Sequence, residues 1–152
     1  MINEEQQQIL DAINELVPQH LHSYLEGALS ANGFDFDRAG LLLTGELNPS
    51  ATTVQTSVIK REGSLWLGIQ SEIYDFLCTS SSTYKKERAE AGVSLKNIIA
   101  ILATSVAAKF HIALGIASGI VTLAIIAAFK LTKNAWCKIQ KEKTNPKRLT
   151  VD

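Results

Sequence analysis

The chain has 152 residues, 46% of them hydrophobic, with fifteen basic and fifteen acidic side chains and two cysteines. That length supports one domain, or one small domain plus a membrane element. Two cysteines exclude a disulfide-rich scaffold and any zinc site of recognisable spacing. The balanced total hides an asymmetry. Residues 1–95 hold six basic against thirteen acidic side chains, and residues 96–152 hold nine against two. Such a split points to a membrane or nucleic-acid surface, or to mutual attraction between the halves.

In chain order, Asn3–Leu16 reads as a helix, with Asn3 as N-cap and Glu4 and Glu5 where the helix dipole favours anions. Ile9, Leu10, Ile13, Leu16 and Val17 recur at helical spacing and form its apolar stripe. Pro18 ends or kinks this helix. A second apolar run through Leu21, Tyr24, Leu25, Ala28 and Leu29 stops at Asn32-Gly33. Phe34–Asp37 alternates apolar and acidic residues, Leu41–Thr44 is a short apolar run between Gly40 and Gly45, and Asn48-Pro49-Ser50 is a turn.

Thr52–Ile59 is rich in β-branched residues, Ser64–Gln70 contains Trp and Ile, and the link Lys60-Arg61-Glu62-Gly63 has the length and the glycine of a hairpin loop. This pattern predicts a β-hairpin. Ser71–Cys78 returns to helical spacing. Thr79–Thr83 and Tyr84–Glu90 read as a polar joint and a charged helical stalk. The expected fold is therefore mainly α. A small α+β part over residues 1–90 precedes a hydrophobic helical region, 93–131, and a basic tail, 132–152.

Ile98–Phe129 carries one formal charge, Lys109, in about 32 residues, and such a segment must be covered by lipid or protein. Phe110–Phe129 spans about 30 Å as a helix, the thickness of a bilayer core. Leu95–Ala108 is shorter, about 21 Å. Two membrane topologies arise: a helical hairpin turning near Lys109-Phe110-His111, or one long helix from about Thr83 to Lys143 with its middle in lipid. The basic C-terminal flank is expected on the cytoplasmic side. Met1–Gln8 is acidic and polar, where a secretory signal needs a basic start and an apolar core, so the N-terminal half is expected there too. The hairpin alone keeps both termini in the cytoplasm. Lys96, Lys109, Lys130 and Lys133 would then sit at the membrane interfaces with Trp136 as an aromatic anchor. Gly115 and Gly119, four apart with Ser118 and Thr122 beside them, would let another helix approach closely. The competing reading buries the same helices permanently in protein.

Signals for chemistry are sparse. His20 and His22, two apart on a helix, face different directions. Asp35, Asp37 and Glu46 lack calcium-loop spacing, and no phosphate-binding glycine loop occurs. Cys78 and Cys137 read as free thiols in a reducing compartment. Basic residues flanking a long apolar segment favour lipid over nucleic acid. No enzyme, cofactor or metal is expected.

The Ala-rich apolar hairpin is similar, in composition alone, to the buried hairpin of pore-forming colicins, which implies a segment soluble in one state and inserted in another. Small size, apolar helices and a basic tail are also similar to holins, although holins lack a 90-residue mixed polar half. The expected function is a small, toxin-like membrane effector, of the kind used in antiviral defence. It would receive a protein partner or signal through residues 1–90, form a homo-oligomer through the hairpin, and permeabilise membrane lipids. The alternative is a soluble assembly subunit with its apolar helices buried in a homo-oligomer or against a larger partner.

Overall fold

The computed structural model describes residues 4–31, 33–46, 64–79, 82–92 and 94–144. Among these the chain is helical: α1 (Glu4–Leu16), α2 (His22–Ser30), α3 (Phe36–Leu43), α4 (Leu65–Cys78), α5 (Lys85–Ala91), α6 (Leu95–Phe110), α7 (Leu114–Leu131) and α8 (Lys133–Thr144). Helix starts follow local capping chemistry. Asp35 accepts the Arg38 N–H at 3.0 Å to open α3, Ser64 accepts from Leu67 to open α4, and Ser94 accepts from Asn97 to open α6. Pro18 separates α1 from α2 through a single 3-10 turn at Gln19–Leu21.

The predicted β-hairpin is corrected by this fold. Its second arm, Ser64–Gln70, forms the cap and first turns of α4, and its first arm, Thr52–Ile59, lies outside the described residues. Trp66, Ile69 and Ile73 fall on one buried helical face, so the apolar residues of this segment follow the 3.6-residue period once tertiary packing chooses for them. No β-strand occurs among the described residues.

The single long helix from Thr83 to Lys143 is not formed either. The chain breaks at Gly92 (φ 60°), at His111 (φ 57°) and at Thr132 (φ 81°). At His111 the break is a helix C-terminal turn with a left-handed residue: the His111 and Ile112 N–H groups both donate to the Ala107 carbonyl. The hairpin turn therefore needs neither glycine nor proline. Histidine takes the left-handed conformation at a modest steric cost.

The thiol expectation is also corrected. Cys78 and Cys137 form a disulfide that ties the end of α4 to α8, with the two Cα atoms 5.7 Å apart. Sequence spacing held no sign of this pair because the two residues are 59 apart and meet only when α8 folds back on α4.

At the centre lies α7, packed against α1, α2, α3, α4, α6 and α8. Every residue from Ala117 to Ala128 is buried. The outer helices are amphipathic and turn Ile9 and Ile13, Leu25 and Leu29, and Trp66 and Ile73 inward. A helix apolar on all sides is thus covered by helices apolar on one side.

Candidate functional site: the apolar hairpin and its sheath

α6 and α7 fold back on one another through the three residues 111–113. Among the described residues, α7 is the one helix long and apolar enough to cross a membrane, with 18 residues at a mean hydropathy of 2.1. α6 has 16 residues and a mixed surface, burying Leu95, Ile98, Ile99, Leu102, Ala103 and Val106 while exposing Asn97 and Thr104.

The turn of the hairpin is held by polar contacts that the sequence did not announce. Tyr84, 3% exposed, donates its hydroxyl proton to Glu72 Oε1 at 2.6 Å and lies 3.1 Å from Ser105 Oγ. Lys109 pairs with the other oxygen of the same carboxylate, Glu72 Oε2. One acidic residue of α4 thus holds both the segment leading into α5 and the last turn of α6. Phe110 packs over Gly68, where an added Cβ would lie 3.1 Å from the ring. Burial, followed by the hydrogen bond to Glu72, pushes the Tyr84 hydroxyl up to about 12.

That shift has a measurable sign. Folded Tyr84 keeps its proton to about pH 12, whereas an unfolded tyrosine releases it near about pH 10. Between these values the unfolded chain binds fewer protons. The contribution is therefore fully present below the unfolded value and is lost as pH rises through the folded one. Tyr84→Phe should flatten the alkaline loss of stability by on the order of 2–3 kcal/mol. Urea midpoints compared at about pH 9 and about pH 11.5, for variant and parent, read it directly; parallel losses in both would assign the effect to other groups.

The glycine face has a partner inside the chain. A Cβ on Gly115 would meet Pro18 Cγ at 2.9 Å, and one on Gly119 would meet Leu21 Cδ1 at 2.8 Å. The small residues expected to admit another helix thus admit the elbow between α1 and α2. Ser118 is buried and its hydroxyl donates to the Leu114 carbonyl at 2.9 Å. Thr122 is fully buried, and its hydroxyl has no hydrogen-bond partner among the described residues.

The expected interfacial residues are placed apart. Lys96 pairs with Glu15 at 2.8 Å on the surface. Lys130 donates to the Ala28 carbonyl at 3.3 Å and to that of Ala31, which caps the end of α2. Lys133 is exposed on α8. Trp136 is 1% exposed, turned into the core. An indole among lysines looks like an anchor in sequence, yet here it falls on the inner face of α8.

The other polar signals serve the fold. Asp35 caps α3, Asp37 accepts the Trp66 indole N–H at 3.0 Å, and Glu46 accepts the first backbone N–H groups of α4, from Leu65 and Trp66, at 2.7 and 2.8 Å. The His22 ring lies 2.6 Å from the Val17 carbonyl, and His20 is exposed. The supposed stalk folds onto the bundle: Arg88 donates to the Phe76 and Asp75 carbonyls, both at 2.8 Å, and closes the C-terminus of α4.

No protein family, curated protein or solved structure matches the chain.

Proposed function

We propose that the protein is a small membrane-associated effector that carries the apolar hairpin α6–α7 inside a helical bundle. On a partner or signal acting through residues 1–90, the hairpin enters a bilayer, oligomerises and permeabilises or remodels it. The observation that carries this reading is the central helix itself: α7 has span length and hydropathy, and it is joined by a three-residue turn to α6, which packs against it. The sheath around the hairpin turn is fastened by the exchangeable contacts of Glu72 with Tyr84 and Lys109. The Thr122 hydroxyl, without a hydrogen-bond partner among the described residues, would gain one across a helix pair in lipid, next to Gly115 and Gly119.

The proposed site of action is the cytoplasmic membrane, with both termini on the cytoplasmic side. The Cys78–Cys137 bond is the observation that weighs against this, because cytosolic glutathione and thioredoxin keep thiols reduced.

A second reading, a soluble interaction or assembly subunit, is favoured by a specific observation. Pro18 and Leu21 already occupy the glycine face, and the chain itself buries the middle of α7. Fractionation of expressing cells, with dye release from vesicles by the purified chain, separates the two. The membrane reading expects a move to the membrane pool and dye release once the sheath is loosened, as Glu72→Gln with Lys109→Gln does by removing its contacts at the hairpin turn. A loosened chain that stays monodisperse without detergent and leaves vesicles sealed overturns it and leaves the soluble one.

A further inference from the structure

We infer that the Cys78–Cys137 bond is a redox latch: its reduction lets α8 swing about Thr132 away from α4, so that α7 and α8 join into one helix. This adds a trigger to the hairpin reading and does not depend on the hairpin entering a bilayer.

α7 ends at Leu131 and α8 begins at Lys133, so a single residue folds the last helix back on the bundle. Thr132 carries the strain of that turn. Its φ of 81° and ψ of 145° are a conformation kept almost entirely by glycine, and they crowd a β-branched side chain. Such strain persists only where surrounding contacts hold it. Here α8 packs on α4 and α7, Trp136 is buried, and Cys137, in the second turn of α8, is bonded to Cys78. Against these contacts stands helix continuity. In the folded-back state the Ala135 N–H is given to the Thr132 hydroxyl, at 3.3 Å. A helical Thr132 would relieve the strain and pair the first N–H groups of α8 with the last carbonyls of α7. Packing and continuity thus oppose one another at one residue, and the covalent bond decides between them by holding α8 beside α4.

Both cysteines are half-buried, so a small dithiol can reach the bond. Its thiolate attacks one sulfur and releases the other as a thiolate, and its second thiol then closes the reagent's own disulfide. The reagent gives up two electrons and two protons, and Cys78 and Cys137 each end as a thiol. Disulfides of reducing compartments are characteristically of this transient, redox-sensing kind.

The test uses the full chain and its two tryptophans, Trp66 on α4 and Trp136 on α8, each 1% exposed. In the oxidised protein iodide should quench neither. Once dithiothreitol has freed both thiols, Trp136 should become quenchable while Trp66 stays sealed and far-UV helicity is kept. Trp136→Phe should abolish the response. Two hinge variants, both reduced, should then diverge. Thr132→Gly takes the same backbone without strain and weakens a continuous helix, so Trp136 should stay sealed. Thr132→Ala keeps the strain and favours the continuous helix, so its quenching constant should exceed that of the glycine variant several-fold. Trp136 still sealed with both thiols free, equal quenching in the two hinge variants, or lost helicity with Trp66 exposed overturns the inference. Dye release is scored separately: an opened latch with vesicles left sealed counts against permeabilisation and supports the latch.

Discussion

Replacing Gly40 by alanine should destabilise the bundle at or above the upper end of the 1–3 kcal/mol usual for an overpacked core, about 3 kcal/mol. A Cβ at this position would lie 2.1 Å from Trp66 Cδ2, inside the indole ring. The ring has little room to yield. Trp66 is 1% exposed, its N–H is bonded to Asp37, and its backbone N–H is bonded to Glu46. Relief requires α3 to move away from α4, which also pulls Glu46 from the N-terminus of α4. Gly27→Ala is the matched control: Gly27 lies within α2, and a Cβ there meets nothing within 4 Å. That change should stabilise by about 0.5–1 kcal/mol through the unfolded chain. Urea midpoints for the two variants should move in opposite directions. Equal or parallel shifts would mean that the α3–α4 contact is looser than drawn.

Loss of the α4–α8 disulfide should cost more. A link closing a loop between residues 59 apart restricts the unfolded chain by about 4 kcal/mol in the loop-entropy treatment. Cys78→Ser with Cys137→Ser should therefore lower stability by about this amount, and reductant should bring the parent protein toward the same value. α8 is the element most affected, since Cys137 is its covalent tie and Trp136 its main buried side chain. Hydrogen exchange should show α8 protected less than α7 once the bond is gone. If reductant leaves the unfolding midpoint of the parent where it was, the bond contributes nothing to stability and the packing of Trp136 alone holds α8.

Periodicity in single segments was enough for most of the helices. The stripe Ile9, Leu10, Ile13 and Leu16, stopped by Pro18, marks α1, and the charged run Tyr84–Glu90 marks α5, because helix formation in both follows from neighbours three and four apart. The uniformly apolar stretch Ile98–Phe129 had to be covered, and the turn near Lys109-Phe110-His111 falls where α6 ends at Phe110. What the covering consists of was not legible there, since a hydrocarbon tail and a leucine side chain are equally good neighbours for Ile120 or Ile125.

Tertiary structure decided the remainder, for one physical reason: the deciding partners are distant in sequence. Ser64–Gln70 has β-branched and aromatic residues and looks like a strand, but Glu46 caps its first N–H groups and Gly40 makes room for Trp66, so it is helical. Glu72 belongs to the hairpin site only because Tyr84 and Lys109 converge on it from elements 12 and 37 residues away. Gly115 and Gly119 offered close approach, and the fold gave it to Pro18 and Leu21 of the same chain. Trp136 and Cys137 sit in a lysine-rich segment whose inner and outer faces become distinct only when α8 lies against α4 and α7. By itself the sequence determined that this chain is mainly helical and holds one long apolar stretch that had to be covered, since local spacing and hydropathy carry that information. Contacts across many tens of residues decided which side chains enclose the hairpin and which face of the last helix is left to the solvent.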